Sequence, residues 1–359
     1  MKRFLAAILV MLLAYACTEA PAPENRPAPK PNIPKEETYD IYLGNTHAHS
    51  HYSGDAVQEG NTPDDHFRLA KQYGYDFYAV TDHSQYEQYN EAAWQEIHRA
   101  AEAYTGPGFV GMRGYEHSEN NGPGAKGHMN VYQTSTYLNA LESGIDMQYF
   151  QDWLCTAVNS SSVVSMNHPG ENQYNGFQCC NEAVRSRITL IELINGPKCD
   201  DYYSSYLIAL KKGWKVSPVA GADFHNLNKI GTWPARTGVA AKALTRSAII
   251  ESFADRRTYA TYEKTMEVIY YVNGYVMGSA DVPKTDKLNF EISVSTKGSD
   301  ITRVEICTED GECVKGKDFM SKDIFWQTDV VREHEYYFVN VYTGQKETPT
   351  AYAAPIWTK

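Results

Sequence analysis

The chain has 359 residues, with 33 Lys and Arg against 44 Asp and Glu for a formal net charge of −11. It offers no basic stripe to displace counterions, which argues against nucleic acid as a partner. With 42% hydrophobic and 21% charged residues the composition is that of a globular protein, long enough for two domains.

Taken in chain order, Lys2 and Arg3 precede the apolar run Phe4 to Leu13, and Ala14-Tyr15-Ala16-Cys17 closes it, so residues 1–17 read as a secretion signal. The small residue before Cys17 resembles a bacterial lipobox, although Ala14 stands where Leu is usual. The expectation is an exported lipoprotein, membrane-anchored through Cys17 and facing the periplasm or the cell surface; ordinary cleavage after Ala16 is the other reading. The apolar run is too short for a permanent span, and no later segment reaches that length. Residues 18–37 are Pro-rich and polar, an extended spacer with nothing to bury.

From 38 to 262, apolar runs alternate with amphipathic stretches. Strands are expected at Ile41–Asn45, Phe77–Thr81, Val110–Gly114, Asn130–Gln133, Val163–Asn167, Leu190–Asn195 and Val216–Gly221, with the low polarity of strands covered on both faces. Thr62-Pro63-Asp64-Asp65 opens one helix with a cap, Pro at N1 and acids in the first turn. Further helices are expected over Glu91–Tyr104, Met147–Val158, Tyr202–Lys212 and Arg246–Arg256. This alternation predicts an α/β fold with a mostly parallel sheet, closed as a barrel. Beyond 262 the strands are short and several alternate at period two, which predicts a small antiparallel β-sandwich over 265–359.

Six cysteines besides Cys17 in an exported chain imply disulfides. Cys307 and Cys313 flank a Gly-containing loop and are expected to be bridged. Cys155, Cys179, Cys180 and Cys199 allow three pairings. Adjacent Cys179 and Cys180 lack the spacing of a zinc site.

The chemistry concentrates in nine side chains, most of them following strand candidates: His47 and His49 (H-A-H), Asp55, His83 (T-D-H), Glu116 (G-Y-E), His128 (G-H), His168 (N-H-P), and Asp223 with His225 (D-F-H). On a strand, residues i and i+2 share a face, so His47 and His49 project together, as do Asp223 and His225. Imidazoles mixed with carboxylates suit Mn²⁺, Fe²⁺ or Zn²⁺. Neither a nucleophile elbow nor a P-loop is present.

The ordered set resembles the polymerase-and-histidinol-phosphatase (PHP) family over about residues 40–260. The trailing β-region ending in Ala-Pro-Ile-Trp is similar to a domain appended to exported, carbaryl-hydrolase-like members. The resemblance implies a distorted (β/α)7 barrel followed by an antiparallel β-sandwich. It also implies three divalent metal ions, Mn²⁺ or Zn²⁺ with Fe²⁺ possible, at the C-terminal strand ends. By the same resemblance His47, His49 and Asp223 hold the first ion, Asp55, His83 and His225 the second, and His128 and His168 the third, with Glu116 bridging the first and third. The implied activity is phosphoester hydrolysis of a small-molecule substrate by a metal-bridging hydroxide. A carboxyl- or carbamate-ester substrate and a non-enzymatic glycan- or protein-binding lipoprotein are the rivals.

Around the nine, His51 shares the strand-face parity of His47 and His49 and is the candidate general acid. His117 and Asn167 also adjoin ligands. Asp82, beside His83, either orders a ligand from behind or caps a turn. Arg113, Lys126 and Arg236 are the cations nearest the motifs, with Arg113 the candidate phosphate contact. His66, His98 and His334 read as structural, and the 27 Tyr and 6 Trp as core and sheet packing.

Overall fold

Apolar runs with no polar side, separated by capped helices, set the architecture. A computed structural model describes residues 38–118, 127–142, 145, 147–156, 162–170, 173–174, 176–177 and 182–358. The expected signal and spacer, Cys17, Lys126, Cys179 and Cys180 lie outside the described residues. Those from 38 onward belong to one compact unit.

The first half contains β1 (Asp40–Asn45), α1 (Pro63–Gln72), β2 (Phe77–Val80), α2 (Glu91–Tyr104), β3 (Val110–Ser118), β4 (His128–Tyr132), α3 (Met147–Thr156) and β5 (Val163–Asn167). It continues with α4 (Glu182–Arg185), β6 (Ile188–Asn195), β7 (Asp200–Asp201), α5 (Tyr203–Lys211), β8 (Ser217–Gly221), β9 (Arg236–Ala241), α6 (Arg246–Ala254) and β10 (Thr258–Thr261). The start of α1 follows its sequence cues: Thr62 accepts from the Asp65 amide, Pro63 occupies the first turn, and Pro63, His66, Phe67 and Ala70 form the buried face. Asn90 and Thr245 cap α2 and α6 in the same way.

The sheet is mixed, not mostly parallel. Pairings β1–β2, β2–β3, β5–β6 and β6–β8 are parallel, whereas β1–β9, β3–β4 and β4–β5 are antiparallel. The connection from β3 to β4 is too short for the crossover a parallel neighbour needs, so β4 runs back along β3. Among the described residues no ladder joins β8 to β9. Side chains bridge that seam, where Thr237 Oγ1 accepts from the Ala220 amide (2.7 Å) and donates to the Ala220 carbonyl (2.9 Å).

An apolar plug of Phe77, Val110, Met112, Val163, Leu190 and Val219 packs with Ile249 and Phe253 of α6. Phe253 meets the Phe77 and Tyr132 rings at 5.9 and 5.8 Å, so α6 covers the end where the parallel strands begin. The opposite end is left for polar side chains.

The C-terminal elements are β11 (Glu267–Val272), β12 (Tyr275–Val276), β13 (Lys287–Ser295), β14 (Ile301–Cys307), β15 (Cys313–Ser321), β16 (Asp323–Val331), β17 (Tyr336–Thr343), β18 (Ala351–Ala353) and β19 (Ile356–Trp357). One layer is the four-stranded sheet β12-β11-β13-β16. The other is no separate sheet. Strand β10 pairs β9 on one side and β18 on the other, and the ladder runs on through β17 and β14 to β15. Alternate residues of β11 and β13 (Val268, Tyr270, Phe290, Ile292) pack with Val304, Ile306, Val339 and Val341 in one core.

Strand β15 is an exposed edge in which Lys315, Lys317 and Asp318 break up its few apolar residues, Val314 and Phe319 among them, so periodicity does not reveal it. Cys307 and Cys313 stand opposite each other in register, but both are free thiols, as are Cys155 and Cys199; the expected Cys307–Cys313 bridge is not formed. Its hairpin is closed by the β14–β15 ladder, and an ion pair from Lys211 to Asp310 (2.9 Å) docks the tip on α5.

Candidate metal centre

Strand β1 stops at Asn45, and His47 and His49 follow in an extended segment whose Ala48 bridges Phe224. The Asn45 side chain joins the two ligand-bearing segments, donating to the His47 carbonyl (2.9 Å) and accepting from the Ala222 amide (2.8 Å). Two candidate ligands have left-handed backbones, His168 (φ 30°) and Asp223 (φ 48°), the kind of strain that clusters at functional sites. His128 opens β4, which runs against β3. The antiparallel turn therefore brings it to the same end of the sheet as residues that follow parallel strands.

All nine expected side chains meet there. His47 Nε2 lies 3.0 Å from His49 Nε2 and 3.5 Å from Asp223 Oδ1, which is itself 2.9 Å from His49 Nε2. His83 Nε2 and His225 Nε2 lie 3.5 and 3.3 Å from Asp55 Oδ2. Glu116 is central: Oε1 is 3.5 Å from His47 Nε2, 3.3 Å from His128 Nδ1 and 3.4 Å from His168 Nε2, and Oε2 is 3.6 Å from His49 Nε2. Three sets bring their donor atoms within 4.8 Å of one another: His49/His83/His225, His47/His49/Glu116 and His83/Glu116/His128.

A second layer fixes which nitrogen three of the imidazoles present. His47 Nδ1 is held by Glu192 Oε1 (2.8 Å), His49 Nδ1 by Ser53 Oγ (2.9 Å) and His225 Nδ1 by the Asp223 carbonyl (3.0 Å). Each of these pairings occupies Nδ1 and leaves Nε2 facing the others, the usual arrangement of metal-ligating histidines. His83 differs: its Nδ1 lies 2.7 Å from Glu116 Oε2 and 3.0 Å from Ser118 Oγ, so both of its nitrogens face cluster carboxylates. Ser53 is in turn held by Asp82, donating to its Oδ1 at 2.8 Å. The Asn61 amide donates to the carbonyls of His49 (3.2 Å) and His225 (3.3 Å), and its oxygen accepts from His66 Nε2 (2.9 Å). Tyr174 donates to the His128 and Asn167 carbonyls and fills the space beside Gly127, where a Cβ would come within 2.3 Å of its ring.

Donor chemistry and orphaned atoms fit divalent cations. With Nδ1 of His49 spent on Ser53, its Nε2 and Asp223 Oδ1 are two lone-pair atoms 2.9 Å apart. Glu116 Oε2 and His128 Nδ1 are buried with no aligned hydrogen-bond partner. Without cations, protons balance the charge. Burial opposes a proton on His47, but Asp223, Glu192 and Glu116 outweigh it and raise its pKa well above the ordinary value. The same contest, with Glu116 and Asp55 as the opposing carboxylates, pushes His83 up to about 10. Burial and neighbouring His83 hold His49 down at about 3.

Coordination needs these rings unprotonated, so at neutral pH ion binding must expel protons from His47 and His83, and affinity must fall as pH falls. Calorimetric titration with Zn²⁺ in two buffers of different ionisation enthalpy is expected to give different apparent heats, in the sense of proton release. Equal heats would contradict this charge assignment.

Residues expected beside the cluster fare differently. His51 lies in a turn, past the strand on which its parity rested; Nδ1 donates to the Asn61 carbonyl (3.1 Å) and the ring packs on Tyr52. Arg113 falls on the opposite face of β3 from Glu116, stacked 3.8 Å from the Trp94 ring and donating to the Thr134 carbonyl. Arg236 is buried over Tyr75 (3.6 Å) and donates to the carbonyls of Trp233 and Ala235. Asp82 is fully buried and accepts from Ser50 and Ser53, reaching His49 only through Ser53. His117 stacks on Phe150 (4.2 Å), whereas Asn167 donates to Glu116 Oε1 (2.8 Å). His66 belongs to the Asn61 network, and His98 and His334 pair with Glu102 and Glu309.

Sequence reasoning missed Glu192, Ser53, Ser118 and Asn61. For Glu192 a signal existed: it is the lone charge in the mostly apolar β6, every residue of which is buried. A charge in such a place must be paired.

No family model and no curated protein matches the chain. Among solved structures, it is similar to a two-domain protein from Bacteroides vulgatus containing a predicted PHP-like metal-dependent phosphoesterase (16% identity, TM-score 0.49, covering 89% of this chain and 96% of that one). It is also similar to PsfC from Pseudomonas syringae (16%, TM-score 0.40, 61% and 90%). A third likeness is to an amidohydrolase from Chromobacterium violaceum with bound sulfate and no metal (14%, TM-score 0.34, 52% and 88%).

Proposed function

We propose that the chain is a PHP-type metal-dependent hydrolase of ester bonds, with phosphate esters the favoured substrates and three divalent ions as its complement. One observation carries this reading. Nine imidazole and carboxylate side chains from separate segments converge at one end of the sheet, and His47, His49 and His225 are tethered through Nδ1 so that Nε2 faces inward.

In this reading His47, His49 and Asp223 hold one ion, Asp55, His83 and His225 a second, and His128 and His168 a third, with Glu116 shared. Ions in such a site supply a water of lowered pKa and neutralise charge on the departing oxygen. The protein's part is to hold the donors in place and keep their lone pairs free. Asn167 keeps Glu116 Oε1 aligned, and Asp82 keeps Ser53 turned toward His49. Export and a lipid anchor on Cys17 belong to the same proposal and rest on residues 1–17 alone.

A second reading has its own support. Arg113 and Arg236 are both spent on aromatic rings and carbonyls, so neither clamps a phosphate. With neither arginine available for a phosphate, a carboxyl or carbamate ester becomes a competitor. A panel of phosphate monoesters, phosphate diesters and aryl esters, assayed with Mn²⁺ and with Zn²⁺, separates the two. Turnover of phosphate esters, lost on chelation and restored by the ion, is the expected result. Aryl-ester turnover without any phosphatase activity transfers the assignment to the second reading.

A further inference from the structure

Among the groups that hold ligand imidazoles by Nδ1, Glu192 is a carboxylate outside the nine expected ligands that also contacts a second of them. Glu192 is completely buried in the middle of β6. Its Oε1 takes the His47 Nδ1–H at 2.8 Å, while Oε2 takes the backbone N–H of His168 at 2.8 Å, where φ is 30°. Asn195 Nδ2 donates to the same Oε2 (2.8 Å). The space is cleared by Gly221, where a Cβ would stand 1.8 Å from Oε1.

We infer that Glu192 is a positioning residue that sets the tautomer of His47 and the backbone of His168, and so couples two parts of the metal centre through one carboxylate. The inference rests on the metal-centre reading above. A carboxylate can only accept hydrogen bonds, so His47 must keep its hydrogen on Nδ1 and offer Nε2 inward. A neutral amide of the same shape does the reverse. In Glu192→Gln, the oxygen stays with His168 and Asn195 and the NH₂ faces Nδ1, which then accepts and moves the imidazole hydrogen to Nε2. The ring stays in place with its ligating lone pair blocked.

Loss of an outer partner of this kind weakens metal binding by about 10–100-fold. The test uses the full chain and Zn²⁺ alone. Stoichiometry and affinity are measured for wild type and Glu192→Gln, together with long-range ¹H–¹⁵N spectra of the histidines in the Zn²⁺-loaded wild type. The expected result is a folded variant that loses at least one ion per chain or about 10–100-fold in affinity, with His47 of the wild type carrying its hydrogen on Nδ1. A variant with lowered melting temperature but unchanged zinc affinity overturns the inference while leaving the metal centre intact. Should Glu192→Gln not fold, the wild-type spectrum decides alone, and a hydrogen on Nε2 of His47 overturns it. A wild type that binds no zinc overturns the inference and the metal-centre reading together.

Discussion

Replacing Glu116 by glutamine is expected to abolish turnover, by at least about a thousand-fold in kcat/KM, while leaving the chain folded. The size of the effect follows from position. The carboxylate is fully buried, and imidazole nitrogens of His47, His49, His128 and His168 stand within 3.3–3.6 Å of its two oxygens. Cationic surroundings, chiefly His83 and His47, overcome the burial that would raise its pKa and hold it well below the usual carboxylate range. Glutamine has the same shape and keeps an oxygen for Asn167 Nδ2, so packing is preserved. It removes the one negative charge shared among the ligand sets and puts an NH₂ where Oε2 faces His83 Nδ1 (2.7 Å) and His49 Nε2 (3.6 Å). Elemental analysis and steady-state assay of the variant check this, on whichever ester the panel identifies. Activity within tenfold of wild type with a full ion complement would remove Glu116 from the centre of the site.

The second large effect is expected at Asp223. Its Oδ1 is the oxygen closest to His49 Nε2 (2.9 Å), and its amide donates to the His47 carbonyl (2.9 Å). With φ at 48° the backbone is left-handed, which asparagine tolerates far better than alanine. Asp223→Asn should therefore isolate the charge: turnover and ion content fall, by about a hundred-fold or more in rate, with a melting temperature near wild type. Asp223→Ala adds a backbone penalty of roughly 1–2 kcal/mol and should melt earlier as well. His168→Ala, at φ 30°, is expected to behave like Asp223→Ala. Retained turnover in Asp223→Asn would falsify the ligand assignment at that position.

How much of this could be read beforehand depended on whether the signal was local. The capped start of α1 and the bounds of α2 follow from chemistry a few residues apart. The buried strands β2, β5 and β6 were legible because covered strands carry no polar face. Strands β9, β10 and β15 were not expected. The last is an exposed edge whose charges hide it, and β10 is four residues whose place depends on distant partners, Tyr259 pairing Gly238 21 positions away and Ala260 pairing Tyr352 92 positions away. Parity arguments failed where they outran their strand. His51 was assigned a face by extending β1, which ends at Asn45.

Sequence by itself determined which atoms were available to bind cations, because ligand chemistry is a property of side-chain type and those types recur in one order. Tertiary structure alone decided which of them meet, which nitrogen each ring presents, and that Arg113 and Arg236 turn to aromatic partners. Those outcomes depend on contacts between residues far apart in the chain. The His47–Glu192 hydrogen bond spans 145 positions, and no local pattern encodes a distance of that kind.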